Sequence, residues 1–320
     1  MSRDTRPVQP LRVVFMGTPS FALPAFEAIA TSETLVSVVT QPDRPQGRGE
    51  ILTASPIKHA AARRHIPVLQ PEAIKNNPKT LRQLQALSPD IMVVVSFGQI
   101  LPHAILSIPP LGCINLHPSL LPKYRGAAPI QRALIHGEQM TGISIMQMDV
   151  GMDTGPILKQ INFPIDWADT AQTLSSRLAD AGATLLMETI NEIKLGETRP
   201  TPQNNATATY APPLKKSEGR ICWNESSEAI YNRWRGVSPW PGTTTMYEGS
   251  LLKIGGLEIG SPHGNYGKQG EMICANRDGL QVASGFGYVK ITRLQLPGRR
   301  EMSVAEFLSG HSIPQGTVFV

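Results

Sequence analysis

Apolar residues come in short dense runs over the first two thirds of the chain, separated by stretches with helical spacing. Leu11-Arg12-Val13-Val14-Phe15-Met16 runs into Gly17-Thr18-Pro19 and reads as a strand closing on a glycine turn. A helix through Ala30 and a second strand over 35–40 follow. Strand, turn, helix and strand within roughly 30 residues make a βαβ unit, which requires a parallel sheet. The alternation continues with a helix over 57–65, a short strand over 67–69 and a helix over 80–87. Ile91-Met92-Val93-Val94-Val95 is then a continuous apolar run, as expected of a central strand covered on both faces. A buried strand ends near residue 117, a helix spans 129–135, and 142–148 alternates as a half-buried strand. Asp169 suits the N-cap of a long helix over 170–194, with Leu174, Leu178, Ala181, Leu185 and Ile190 on one stripe and Leu195-Gly196 ending it.

The character then changes. Residues 197–210 are Pro, Asn, Thr and Ala with almost no large apolar side chain, the composition of a linker. Beyond a helix over 225–235, short runs broken by glycine (243–247, 251–259, 271–275, 280–283 and 288–294) predict a small β-barrel. The expected fold class is α/β: a Rossmann-like, mostly parallel sheet over 11–199, a linker over 200–217, and an OB-like β-barrel over 218–320. Residues 1–10, polar and Pro-containing, are expected to be a disordered extension.

Length changes this picture little: 320 residues is long for one core, which agrees with two domains. No apolar run approaches the ~18 residues of a membrane span, and the polar start is not a secretory signal. Cys113, Cys222 and Cys274 lie far apart without a C-x-x-C, which argues against a zinc site or a disulfide framework and fits a cytoplasmic protein, expected to be monomeric. The net charge is +5, and after residue 199 there are 12 Lys and Arg against 9 Asp and Glu. Such an excess permits a polyanionic partner. Lys253, Lys268, Lys290, Arg293, Arg299 and Arg300 are candidates for a basic track on the barrel, with scattered solubilising charge as the alternative.

The chemistry concentrates in Asn115-Leu116-His117-Pro118-Ser119. On a strand, side chains i and i+2 share a face, so Asn115 and His117 project together. Asn supplies neutral N–H donors, and His has an unperturbed pKa of about 6.5. The pair suits a reaction at a carbonyl, with a donor for the oxyanion and a base for the nucleophile. Asp149 and Asp153 bracket a glycine-containing turn; without a third acid or a His at ligand spacing, a metal site there carries little weight. Gly17-Thr18-Pro19-Ser20 lacks the G-x-G-x-x-G that a dinucleotide pyrophosphate needs, which excludes a nicotinamide enzyme. The loop over 41–50 is rich in Pro and Gly and carries Arg44 and Arg48, either solvated surface residues or a basic arm that orders on a phosphate backbone.

Three blocks carry a resemblance. They are the arginine loop with Ser55-Pro56-Ile57-Lys58 behind it, Asn115-Leu116-His117-Pro118-Ser119-Leu120-Leu121-Pro122-Lys123-Tyr124-Arg125-Gly126-Ala127-Ala128-Pro129, and Met148-Asp149-Val150-Gly151-Met152-Asp153-Thr154-Gly155. Together they resemble the folate-dependent formyltransferases, in particular those that act on tRNA, and the likeness spans 11–320. It implies a catalytic triad of Asn115, His117 and Asp153, without a metal. It also implies a formyl donor, 10-formyltetrahydrofolate, bound against Ser119, Leu120, Leu121 and Pro122, with Phe97 helping to line the pterin pocket. The acceptor it implies is initiator methionyl-tRNA, met by Arg44, Arg48, Lys215, Lys216, Arg299 and Arg300. Cys222 stands where the family often has Asp. A formyltransferase for a sugar nucleotide could share the triad without needing Arg44 or Arg48. A non-catalytic RNA-binding protein on the same scaffold would not need the triad.

Overall fold

The computed structural model describes residues 9–46 and 51–320. Arg48 and Met1–Val8, most of the expected extension, lie outside the described residues. Two compact units divide the chain. The first comprises the described residues up to Pro129 with Met140–Pro164 and Ser175–Ala211; the second comprises Ile130–Gln139, Ile165–Leu174 and Pro212–Val320.

Helices and strands alternate as the apolar pattern predicts. In chain order they are β1 (Arg12–Gly17), α1 (Leu23–Ser32), β2 (Thr34–Val39), a hairpin of β3 (Arg44–Gln46) and β4 (Ile51–Thr53), α2 (Pro56–Arg63), β5 (Val68–Leu69), α3 (Pro78–Ala86), β6 (Ile91–Val95), α4 (His103–Leu106) and β7 (Cys113–His117). After α5 (Pro129–Ile135) come β8 (Met140–Gln147), β9 (Ile157–Pro164) and the long α6 (Ala171–Leu195). Seven strands form one sheet in the order β5-β2-β1-β6-β7-β8-β9. It is parallel from β5 to β7 and antiparallel at β8 and β9. The edge strand β9 is the one the apolar pattern misses. Lys159, Gln160 and Asn162 interrupt its hydrophobic residues, and no side chain in it is fully buried.

Period-two alternation sorts the sheet's side chains between two covers. Val14, Met16, Met92, Val94 and Cys113 share one core cluster with Leu84 of α3 and Ile105 of α4. The intervening Val13, Phe15 and Val93 are also fully buried, and Phe15 meets Phe26 of α1 edge-on at 5.7 Å. On that second face α6 comes close to β7 at Gly182, where a Cβ would lie 2.9 Å from a methyl of Leu116. Any side chain there would push the helix off the strand. Because the first five strands in the sheet order are parallel, β1, β2, β6 and β7 deliver their carboxyl ends to one edge, where open α/β sheets bind ligands.

The second unit holds α7 (Ser227–Val237), then β10 (Thr243–Tyr247), β11 (Ser250–Ser261), β12 (Met272–Asn276), β13 (Gly279–Ala283), β14 (Tyr288–Gln295), β15 (Met302–Ser303) and α8 (Val304–Leu308). The strands are antiparallel in the order β10-β11-β14-β13-β12, with β15 on β14. Residues 316–320 join the two outer strands. Met246 and Val320 exchange both backbone hydrogen bonds (2.6 and 3.1 Å), while the Met272 N–H donates to Thr317 O at 2.7 Å and Glu271 pairs with Val318. Phe319 drops into the core between Trp223 and Tyr247. This pairing removes the exposed edges that would otherwise invite association.

In the same unit Arg132 grips Glu218 with two nitrogens, at 2.5 and 3.0 Å, and the Lys215 N–H donates to the same carboxylate at 2.7 Å. The hydrogen bond from Arg132 chiefly holds the Glu218 carboxyl below its ordinary value of 4.5. A group with a depressed native pKa stabilises the fold above its unfolded pKa and loses that contribution as pH falls through the native one. Glu218→Gln is therefore expected to destabilise the second unit by at most about 1 kcal/mol at pH 7. In urea titrations the gap from wild type should close as the pH is taken below 4.5. A gap independent of pH would refute the assignment.

Candidate active site

Every residue of β7 is buried, yet two of the five are polar. Asn115 pairs with Val94 on β6 and Met146 on β8, and His117 pairs with Ser144. Their side chains lie on the face shared with Cys113 and the α3–α4 core, and both are nearly enclosed, 8% exposed for Asn115 and 4% for His117. Burying polar groups without partners is costly. His117 Nε2 meets the Tyr124 carbonyl at 2.9 Å. A carbonyl only accepts, so Nε2 carries a hydrogen and, in the neutral ring, Nδ1 is left as the base. Nδ1 lies 3.7 Å from Asp153 Oδ2. The Asn115 amide makes no side-chain hydrogen bond among the described residues, which leaves its N–H donors available at the sheet edge.

The Pro118–Arg125 turn beyond β7 is fixed from beneath by one hydroxyl. Ser144 Oγ donates to Ser119 O at 2.6 Å and accepts from the Leu121 N–H at 3.1 Å and from Gln160 Nε2 at 2.7 Å. Gln160 Nε2 also reaches Leu121 O at 2.9 Å, and Ser119 Oγ donates to Lys123 O at 2.7 Å. Leu121-Pro122 is cis. Leu120 presses on β8 where Gly142 has no side chain; a Cβ there would come within 2.3 Å of a Leu120 methyl. Ser119 and Leu121 are thus buried with their polar groups committed, while Leu120 and Pro122 stay half-exposed and present an apolar surface. Ser144→Ala removes a buried donor and acceptor together. It is expected to raise the KM for a ligand held on this turn roughly tenfold, at a stability cost of about 1–3 kcal/mol. An unchanged KM would show that the turn holds without the hydroxyl.

Asp153 reaches the site from the turn after β8. Its backbone is left-handed (φ 56°), a conformation Asp tolerates better than most residues. Its carboxylate accepts from the Gly126 N–H at 2.8 Å. Asp149 braces the same turn, accepting from the Gly151 N–H at 3.0 Å and from Thr154 Oγ1 at 2.6 Å. Gly155 is obligatory, since a Cβ would sit 1.8 Å from Gln147 O. Gln203 Nε2 then donates to Asp153 O and Gly155 O at 2.9 and 2.7 Å. Its own oxygen accepts from Arg125 Nε and Nη2 at 3.1 and 2.8 Å, and Nη2 also reaches Asn205 Oδ1 at 2.8 Å. Arg125, only 2% exposed, is a support that charge patterning does not disclose. Residues 201–211, linker-like in composition, are sewn onto the site: the Arg125 N–H donates to Thr209 O, the Ala211 N–H to Arg125 O, and the Tyr124 N–H to Thr209 Oγ1.

Of the other residues singled out by sequence, Phe97 has its ring in the α3–α4 core, 2% exposed, and only its carbonyl faces the edge loops. Arg44 is exposed and lies 3.8 Å from Glu72. Lys215 and Lys216 open an exposed turn in the second unit, and Arg299 and Arg300 lie in an exposed loop of the same unit, with Arg300 3.2 Å from Glu306. Lys290 and Arg293 of the anticipated basic track are paired with Glu258 and Glu301. Burial pushes the Cys113 thiol up to about 12, so it stays protonated and inert at neutral pH. Among the described residues no three His, Cys, Asp or Glu come together as a metal-binding group, and no helix is long and apolar enough to cross a membrane.

Residues 11–190 match the family model for formyl transferase, and 213–312 match that for the formyl transferase C-terminal domain. A methionyl-tRNA formyltransferase of Syntrophus aciditrophicus is 47% identical over 312 residues, covering 96% of this chain and 98% of that protein. One from Caldanaerobacter subterraneus is 44% identical, covering 96% and 99%. Among solved structures, the sugar 3N-formyl transferase WlaRD, determined with dTDP and 5-N-formyl-THF, superposes with a TM-score of 0.66 at 18% identity, covering 91% of this chain and 99% of that one. HypX from Aquifex aeolicus in complex with tetrahydrofolic acid gives 0.65 at 15%, covering 94% and 47%. At those identities the two structures speak to the fold alone.

Proposed function

We propose, from the premise that this chain belongs to the formyltransferase family, that it moves the formyl group of 10-formyltetrahydrofolate onto the α-amine of methionine carried by initiator tRNA. The observation that carries the reading is identity of 47% with a methionyl-tRNA formyltransferase over nearly the whole of both chains, second unit included. A further support is the conjunction at the end of β7 of an uncommitted amide on Asn115 and a histidine whose Nδ1 faces a carboxylate.

In this mechanism the methionine amine attacks the formyl carbon, and the new C–N bond forms as the carbonyl oxygen becomes an oxyanion. The Asn115 amide donates to that oxygen. His117 Nδ1 takes the proton from the attacking nitrogen, directly or through one water, and returns it to the departing folate nitrogen as the old C–N bond breaks. Asp153 stabilises the imidazolium formed in between. No metal takes part in this scheme. Leu120 and Pro122 would meet the flat donor, and Ser119 and Leu121 would hold that turn in place. Phe97 would contribute through its loop rather than its ring. Arg44, Arg48, Lys215, Lys216, Arg299 and Arg300 are the proposed tRNA contacts, and the enzyme is taken to act as a cytoplasmic monomer.

The decisive experiment offers 10-formyltetrahydrofolate with initiator or elongator methionyl-tRNA. Transfer to the initiator alone is expected, with acceptor binding that weakens steeply as salt is raised. No transfer to either RNA would overturn the acceptor assignment and point to a small amine instead.

A further inference from the structure

The β3–β4 hairpin leaves the first unit between Thr40 and Ser55, at the carboxyl edge of the parallel strands, and a polar chain crosses its neck twice. Thr40 Oγ1 and Ser55 Oγ lie 2.8 Å apart. Three residues further out on the departing strand, Asp43 Oδ2 accepts from Lys58 Nζ at 2.6 Å. The returning side is rigid at this level. Ser55 caps α2 by accepting from the Lys58 N–H at 3.1 Å, so Lys58 projects from the first turn of a helix. The departing side is tied down as well. Gln70 Nε2 donates to Asp43 Oδ1 at 2.7 Å and to Gln41 O at 3.0 Å, while Gln41 Nε2 donates to Phe97 O at 3.1 Å. Thr18 Oγ1, at the end of β1, donates to the same Phe97 oxygen at 3.2 Å and accepts from the Gln41 N–H at 3.3 Å.

None of these side chains faces Asn115 or His117 in any contact of the site, so the reaction does not require them. Asp43 immediately precedes Arg44, the first residue of β3. We infer that Asp43 and Lys58, backed by Gln70, are positioning residues that fix the direction in which the hairpin presents Arg44 to the RNA acceptor. This rests on the reading that the hairpin meets tRNA. Arg44 is exposed, so its encounter with a phosphate depends on where its backbone starts. A two-rung neck restricts that start. The pair is also robust at neutral pH, because the hydrogen bond from Lys58, then that from Gln70, holds the Asp43 carboxyl below its ordinary value.

Steady-state kinetics on the full chain test this with Asp43→Asn, Lys58→Met, their double variant and Arg44→Ala. The single neck variants are expected to raise the KM for methionyl-tRNA roughly fivefold, leaving kcat and the KM for 10-formyltetrahydrofolate within twofold. The double variant should be no worse than the worse single one, because both remove the same contact. A general structural role would move both KM values or kcat together, and that outcome overturns the proposal. So does an unchanged acceptor KM in the neck variants when Arg44→Ala raises it. If Arg44→Ala also leaves the acceptor KM unchanged, the reading of the hairpin as an RNA contact fails first and takes the positioning role with it.

Discussion

Replacing His117 with alanine is expected to lower kcat for formyl transfer by roughly two to four orders of magnitude, with smaller changes in either KM. Nε2 is engaged by the Tyr124 carbonyl at 2.9 Å, so the ring cannot turn that nitrogen to the substrate, and Nδ1 is the only position able to take a proton. Asp153, held by the Gly126 N–H, is the carboxylate facing that nitrogen, at 3.7 Å. Alanine also strands a buried carbonyl, so a stability loss could masquerade as a catalytic one. His117→Gln separates the two effects. Its amide can still donate to Tyr124 O, but it has no titratable nitrogen. The variant should keep its melting temperature close to wild type and lose kcat as alanine does. Single-turnover rates for both variants within threefold of wild type would remove His117 from the proton path.

Asn115→Ala is expected to cost roughly two to three orders of magnitude in kcat, the loss seen when one oxyanion donor is removed. Asn115 is 8% exposed inside a sheet, yet its amide makes no side-chain hydrogen bond among the described residues. Native folds seldom bury such a group without use. Asn115→Asp keeps the volume and removes the donors, so it should lose at least as much activity with little change in packing. Near-normal turnover in either variant, measured with saturating donor and acceptor, would sink the oxyanion role. If both variants fall together, the donor rather than the shape is what the reaction uses.

Much of this was legible in the chain itself. The periods of two and 3.6 gave the alternating strands and helices, because burial against any partner leaves the same imprint on a segment. Period two also put Asn115 and His117 on one face of one strand. The glycine-broken runs after residue 243 gave a small antiparallel unit. The β9 strand escaped because its alternation is short, with Gln160, Asn162 and Pro164 exposed between half-buried neighbours and Lys159 separating it from Ile157-Leu158, so too few apolar residues mark it. The residues that join the two outer strands, 316–320, escaped because too short a segment carries no period at all.

That Asn115 and His117 share one face of one strand is legible locally, since hydrophobic periodicity and strand parity are local properties. Tertiary structure alone decided which atoms meet. Asp153 faces His117 only because β8 runs antiparallel to β7 and its following turn folds back over the sheet edge. Arg125 is buried because Gln203 and Asn205, from a stretch with a linker's composition, supply its acceptors. Asp43 meets Lys58 only once a hairpin closes between them. A hydrogen bond needs its partners within about 3 Å and correctly aimed, and residues distant along the chain reach that separation only when the strands and helices between them have packed.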